Sequence, residues 1–223
     1  MAIQDQIFWS GEGDAWFRRN REKFLEVEND WPIKLLLSMP LGEREYEVLE
    51  LGSSNGWRLH KLAALIKGKF YGIDASQVAI EDGRSRYPEL RLEQAVLSEV
   101  PLKREFDIVI VNYVLHWVDR KTLARSLSEI DRLVRNQGYL VVGDFLPDYP
   151  QRRPYHHRPE EEIFTYKQDY VRIFESYGTY KEISRVTYNH DDPTAALAVA
   201  DYNSRGVCSL LKKDIQEYYA KVP

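Results

Sequence analysis

The chain has a single cysteine, Cys208, among 223 residues. A lone thiol excludes an intramolecular disulfide framework and any metal site built on several thiolates. Cys208 lies in the apolar run Val207–Leu211, where the expectation is an inert buried thiol rather than a nucleophile. Excess positive charge is also lacking: the net charge is −4, which removes the basic footprint of a nucleic-acid binder. No stretch nears the ~18 consecutive apolar residues of a membrane span; the longest candidate surrounds Leu35-Leu36-Leu37. The opening residues Met1–Gln6 show neither a basic region nor an apolar one, so the expectation is a cytoplasmic protein with no membrane insertion. Internal repeats and low-complexity linkers are absent too.

Hydrophobic residues make up 43% of the chain, enough for a sizeable core, and the five Trp and fifteen Tyr fill that core or pave a ring-binding surface. A helical pattern runs from Asp14 through Leu37, interrupted at Trp31-Pro32. From Tyr46 the chain alternates. Strands are expected at Tyr46–Leu51, Phe70–Ile73, Leu90–Val96, Phe106–Val111 and Tyr139–Val142. Helices are expected at Trp57–Ile66, from a Ser76 cap to about Tyr87, and from Lys121 to Val134 with Gly138 as the stop. Pro147–Pro159 reads as a loop, followed by a helix near Lys167–Tyr177 and strands at Ile183–Tyr188 and Val207–Leu211. The expected architecture is α/β: a Rossmann-like, seven-stranded, mostly parallel sheet with an antiparallel edge strand, helices on both faces and an N-terminal helical cap. One domain spans the chain, with residues 1–40 as cap or lid, 45–146 as a cofactor-binding core, and 147–223 as substrate loop and closing edge strands.

Glycines are scarce where a phosphate cradle needs them. After the first strand the chain reads Glu50-Leu51-Gly52-Ser53-Ser54-Asn55-Gly56, and Asp74 follows 22 residues after Gly52. A pyrophosphate turn wants three closely spaced glycines. Here Ser54 and Asn55 stand in that space, and the Glu50 carboxylate repels phosphate and suits a cation or an amine. S-adenosylmethionine carries a sulfonium and an amino group and no phosphate. Ligands in such sheets bind beyond the carboxyl ends of the strands. That rule nominates Gly52–Gly56, Asp74, Val96-Leu97, Asn112–His116 and Asp144 as rim residues.

From Tyr46 to Phe145 these residues resemble the class I S-adenosylmethionine-dependent methyltransferases. Glu50-x-Gly52-x-x-x-Gly56 is similar to their first motif, Asp74 to their ribose-binding acid, and Asp107–Asn112 with Tyr113–Trp117 to their fourth-strand motif. A narrower resemblance, to methylases of pseudaminic acid and other surface-sugar pathways, rests on Phe8–Asp14 with Arg19-Asn20. Pro154-Tyr155, Phe164, Lys167, Asp169 and Tyr170 carry it further along the chain. The family's frequent Asp near Val96 is missing, and His156-His157-Arg158 replaces a shorter glycine-containing stretch. The resemblance implies S-adenosylmethionine as cofactor and methyl transfer to a small polar acceptor. The implied acceptor is a sugar or sugar nucleotide of surface-polysaccharide biosynthesis, methylated on oxygen. Another small metabolite with an oxygen or nitrogen acceptor is the alternative.

The cofactor residues expected on these grounds are Glu50, Gly52, Ser53, Ser54, Asn55, Gly56, Asp74, Ala75, Val96, Leu97 and Asn112, with Trp9 and Arg19 from a lid. His116 and Asp144 are alternative proton acceptors, each with a plainer role as pocket lining or strand end. Tyr155, His156 and Arg158 are the substrate residues, with Arg152 and Arg153 beside Arg158 as a diphosphate clamp or simply a solvated basic loop. No metal is expected: the adjacent pair His156-His157 has the wrong spacing for one ion. The partners are then a small-molecule acceptor and no nucleic acid, with room for a homodimer. Two rivals are a nicotinamide-dependent oxidoreductase, disfavoured by the missing third glycine and Glu50, and a non-catalytic scaffold, which would show a ruined turn.

Overall fold

A computed structural model describes residues 1–26, 29–191, 203–219 and 222, so part of the expected 14–37 helical region and the 192–202 stretch lie outside the described residues. Among the described residues, nine strands form two sheets. The main one has the order β3-β2-β1-β4-β5-β9-β8, with β1 at Tyr46–Leu51, β2 at Gly68–Asp74, β3 at Arg91–Gln94, β4 at Phe106–Asn112, β5 at Val134–Phe145, β8 at Tyr180–Asn189 and β9 at Arg205–Lys213. β1 to β5 are mutually parallel, β9 runs antiparallel to β5, and β8 runs antiparallel to β9. This is the expected seven-stranded, mostly parallel sheet; its reversed strand is the penultimate one.

β4 sits at the centre because its side chains suit burial on both faces. Ile108, Val109, Ile110 and Val111 are fully buried, and each such side chain contributes roughly 1.5–3 kcal/mol. Alternation sends them to opposite layers. Val109 and Val111 pack with Leu127, Ile130 and Leu133 of α6 (Leu123–Leu133) and with Val171 and Phe174 of α7 (Val171–Ser176). Ile108 and Ile110 pack on the other face with Leu36 of α3 (Trp31–Leu37), Leu59 and Leu62 of α4 (Trp57–Ala63) and Ile80 of α5 (Gln77–Arg86). The α5 cap is as expected, with Ser76 Oγ accepting from the Ala79 amide at 3.0 Å.

Three local expectations are corrected. Trp31-Pro32 opens α3 rather than interrupting a helix: Asp30 caps it by accepting from the Ile33 amide at 2.9 Å. Proline is at home in a first turn, where its missing N–H has no partner to lose. Gly138 does not stop α6, which ends at Leu133; it lies inside β5, after Gln137 at φ 64°, where the β4–β5 register slips. Finally, 147–159 is not all loop. β6 (Gln151–Pro154) pairs antiparallel with β7 (Phe164–Lys167) as a separate hairpin. Its Arg/Pro-rich, half-buried sequence carries no period-2 pattern.

The N-terminal cap comprises α1 (Ile3–Ile7), a wide turn at Phe8–Glu12, α2 (Gly13–Asn20), a tight turn over Arg21–Glu26, and α3. Polar ties hold it to the sheet ends. Gln4 bonds the Trp117 and Phe164 carbonyls at 2.6 and 2.8 Å. Asp5 accepts from Thr122 at 2.7 Å, and Asp14 accepts from Ser76 Oγ at 2.6 Å and the Val78 amide at 3.1 Å. Among the described residues, no helix is long and apolar enough to cross a membrane, and no group of three or more His, Cys, Asp or Glu could hold a metal ion.

Candidate functional site

A cavity of about 460 Å³ opens beyond the carboxyl ends of β1, β2 and β4. Its wall includes Gly52, Ser53, Ser54, Asp74, Ala75, Val96, Leu97 and Asn112, eight of the thirteen expected cofactor residues, drawn from four separate strand ends. The turn after β1 is where the sequence bends hardest. Gly52 has φ 74° and Gly56 φ 80°, in the left-handed region that a side chain resists, and a Cβ on Gly52 would collide with a Val114 methyl.

Four of the five amides of this turn are already spent. Gly52 N and Ser53 N both donate to the Ile73 carbonyl (2.7 and 2.9 Å), Ser54 N donates to Asp74 Oδ2 (2.7 Å), and Gly56 N donates to the Ser53 carbonyl (2.9 Å). Those four N–H groups are not available to a phosphate, unlike the amides of a glycine-rich phosphate loop. Buried polar atoms stand without partners among the described residues at the same place: Ser54 Oγ and Asn112 Oδ1 in residues of the wall, and Glu50 Oε2 behind it. Desolvation holds the Asp74 carboxyl above the usual range, against the pull of the Ser76 and Ser54 amides. An acid at Asp74 and an apolar wall of Ala95, Val96 and Leu97 would suit the ribose and adenine of a compact adenosyl group.

Glu50, Asn55, Gly56, Trp9 and Arg19 do not line the cavity. Glu50 is fully buried behind the turn, and its carboxylate is paired with Arg58, whose Nε also bonds Asp30 Oδ2 at 2.7 Å. Arg58 is the residue that reaches the cavity. Burial pushes Glu50 up to about 7 in spite of that guanidinium. Asn55 turns away to Asp82 (2.8 Å). Trp9 is exposed, and its neighbours Phe8 and Trp16, with Asp5, face the cavity instead. Arg19 bonds Glu12 Oε1 (2.5 Å) and the Tyr155 hydroxyl (2.8 Å). Since Tyr155 OH also donates to Glu12 (2.6 Å), the trio joins the cap to the loop after β6.

The expected substrate residues do not converge. Tyr155 is buried in that trio, His156 is exposed, and Arg158 pairs with Glu161 at 2.6 Å. Arg152 lies over the Phe164 ring and Arg153 bonds Gln151 and Asn203. None of these lines the cavity. His116 and Asp144, by contrast, come together. Asp144 Oδ1 accepts from His116 Nδ1 at 2.8 Å and from the Phe145 amide at 2.8 Å, and Oδ2 accepts from the His116 amide at 3.2 Å. The imidazole packs on Trp117 at 4.5 Å and meets Tyr113 at 6.1 Å, two rings of the cavity wall.

Trp31, Trp57, Arg58, Tyr188 and His190 of the wall escape the sequence reading, whereas Tyr113 falls within the expected Asn112–His116 rim. Tyr113 follows Asn112 directly and stands at φ 56°, rare for a bulky side chain. The others come from α3, the start of α4 and the end of β8, far from the motif that marks the site.

Residues 49–142 match the family model described as a methyltransferase domain. A probable S-adenosylmethionine-dependent methyltransferase of Mycobacterium tuberculosis is 33% identical over 99 residues, 44% of this chain and 35% of that protein. The aligned stretch is thus about a third of the curated relatives' length. Among solved structures, a 1,6-didemethyltoxoflavin-N1-methyltransferase of Burkholderia thailandensis superposes with a TM-score of 0.70 at 16% identity, covering 96% of this chain and 92% of that one. A TehB-like S-adenosylmethionine-dependent methyltransferase of Corynebacterium glutamicum gives a TM-score of 0.62 at 16% identity, covering 92% and 100%. The glycine turn and the acid at the end of β2 therefore lie within residues 49–142, the stretch that matches the methyltransferase domain.

Proposed function

We propose that the protein transfers a methyl group from S-adenosylmethionine to an oxygen of a small polar acceptor. The observation that carries this reading is the turn at Gly52–Gly56, whose committed amides leave no phosphate cradle while Asp74 and the Val96-Leu97 wall remain for an adenosyl group. When bound, the cofactor supplies a methyl carbon whose bond to a positively charged sulfur is readily displaced. The chain's part is to align the acceptor and exclude water. Phe8, Trp16 and Asp5 of the cap cover one side of the cavity. A hydroxyl acceptor would have to shed its proton on methylation, and His116 Nε2, in the layer behind the wall rings Trp117 and Tyr113, is the candidate. Asp144 holds Nδ1–H, so the lone pair of the neutral ring lies on Nε2. Asp144 itself, with both oxygens engaged, positions the ring rather than taking the proton.

The resemblance of Phe8–Asp14 and Pro154–Tyr170 to surface-sugar methylases supports a sugar or sugar nucleotide as the acceptor. The arginines meant for its diphosphate stand away from the cavity, so the nucleotide part loses that support. The second reading is a small planar heterocycle, as for the Burkholderia neighbour, favoured by the ring-lined arm of the cavity. Incubation with a trideuteriomethyl donor and a metabolite extract, followed by mass spectrometry, tests the reaction. A labelled ether is the expected product; unlabelled acceptors throughout would remove the transferase reading.

A further inference from the structure

The cavity has a second arm beyond the adenosyl end, and its composition differs. Trp31 of α3 and Tyr188 of β8 stack at 5.7 Å with an interplanar angle of 28°. His190, two residues on and so on the same face as Tyr188, meets Tyr113 at 4.7 Å. All four line the cavity. Among the charged groups near this end, Asp30 accepts from the Ile33 amide and Arg58, Arg58 also holds Glu50, and Lys34 Nζ lies 4.8 Å over the Trp31 ring, while Lys23 lines the same cavity. Burial pushes His190 below the usual range, with Asp191 opposing and His116 and Lys167 adding to the shift, so the ring facing this arm is neutral near pH 7. Two buried donors remain without hydrogen-bond partners among the described residues, Trp31 Nε1 and Tyr113 OH; the latter lies close to Tyr188 but makes no bond of good geometry with it.

A pyranose carries a hydroxyl on nearly every carbon, and each needs a polar partner when it leaves water. This arm offers few. Ring faces are what it offers, and offset or edge contacts between aromatic rings add about 0.5–1.5 kcal/mol each beyond area burial. Resting on the methyl-transfer reading, we propose that the acceptor is a flat conjugated ring bearing a hydroxyl, a phenol or hydroxylated heteroaromatic, seated against Trp31 and Tyr188. The two orphaned donors suit a ring nitrogen or carbonyl oxygen on the same molecule. Tyr113 and His190 border the ring on the side nearest the glycine turn, where Tyr113 adjoins Asn112.

The test is calorimetric titration of the protein, with and without S-adenosylhomocysteine, against 8-hydroxyquinoline, a catechol and a flavonol. Methyl glucopyranoside and UDP-N-acetylglucosamine form the sugar arm. The expected result is binding of at least one flat probe, quenching of tryptophan fluorescence, and affinity about tenfold weaker in Trp31→Ala and in Tyr188→Ala. Far-UV circular dichroism and cooperative thermal unfolding of both variants serve as the folding control. Overturning results are no flat binder, flat binding indifferent to both substitutions, or sugar binding that depends on them. Loss of S-adenosylhomocysteine binding in the unsubstituted protein would instead remove the methyl-donor reading, because the flat probes are also titrated alone.

Discussion

Asp144 binds His116 twice, accepting from the ring at Nδ1 (2.8 Å) and from the main-chain amide (3.2 Å). One carboxylate therefore fixes both the position of the 3₁₀ turn that carries the histidine and the tautomer of its ring. The histidine is 3% exposed and the aspartate 1%, so neither swings freely. This predicts a division of labour. His116→Ala should lower turnover by about 10²–10³-fold, as loss of a general base does, with S-adenosylhomocysteine affinity within twofold of the parent. Asp144→Asn should retain the fold and lower turnover toward the His116→Ala value, since an amide no longer dictates which ring nitrogen carries the proton. Undiminished turnover in both variants would leave proximity as the sole contribution.

Asp74 holds two amides besides any ligand, Ser54 N at 2.7 Å and Ser76 N at 2.8 Å. Asp74→Ala should weaken S-adenosylhomocysteine binding by at least about tenfold and lower stability by about 1–3 kcal/mol, because a hydrogen-bonded charge is lost and buried donors are orphaned. Calorimetry and thermal unfolding read the two effects separately.

Gly52→Ala tests the turn. At φ 74°, with Val114 in the way of a Cβ, alanine forces the turn to shift. The expected outcome is about 1–3 kcal/mol of lost stability together with loss of cofactor binding. Gly42, where a Cβ meets open space, is the control, and Gly42→Ala should change neither.

Glu50 predicts a pH dependence. Burial raises its carboxyl from 4.5 to about 7, with Arg58 opposing. A group whose folded value is raised stabilises the fold fully below its unfolded value, and that contribution fades as pH climbs through the folded value. The parent protein should therefore lose stability relative to Glu50→Gln between pH ~4.5 and ~7, by at most about 3 kcal/mol. Denaturant unfolding across this range checks the sign.

Much of this was legible in the chain because the sheet centre is written in continuous apolar runs: Asp107–Val111 could only be a strand buried on both faces. The adenosyl end was legible for a related reason, since one short turn with φ-demanding glycines and an acid one strand later sits in a single βαβ unit. The acceptor arm was not. Trp31, Tyr188 and His190 meet only because α3 and β8 fold back to the same strand ends, and nothing in their local sequence marks that meeting. The Trp31-Pro32 pair looked like a break because proline tolerates a helix only in its first turn, which is where Asp30 places it. Glu50 reads from the sequence as a carboxylate facing the ligand at the turn, whereas Arg58, the second residue of the next helix, holds it behind the turn.

The most direct measurement is a pair of calorimetric titrations of the intact chain, one with S-adenosylhomocysteine and one with NAD. The committed amides of Gly52, Ser53, Ser54 and Gly56 predict binding of the first at micromolar affinity and no heat from the second. Tight NAD binding, or silence toward S-adenosylhomocysteine, would contradict the account.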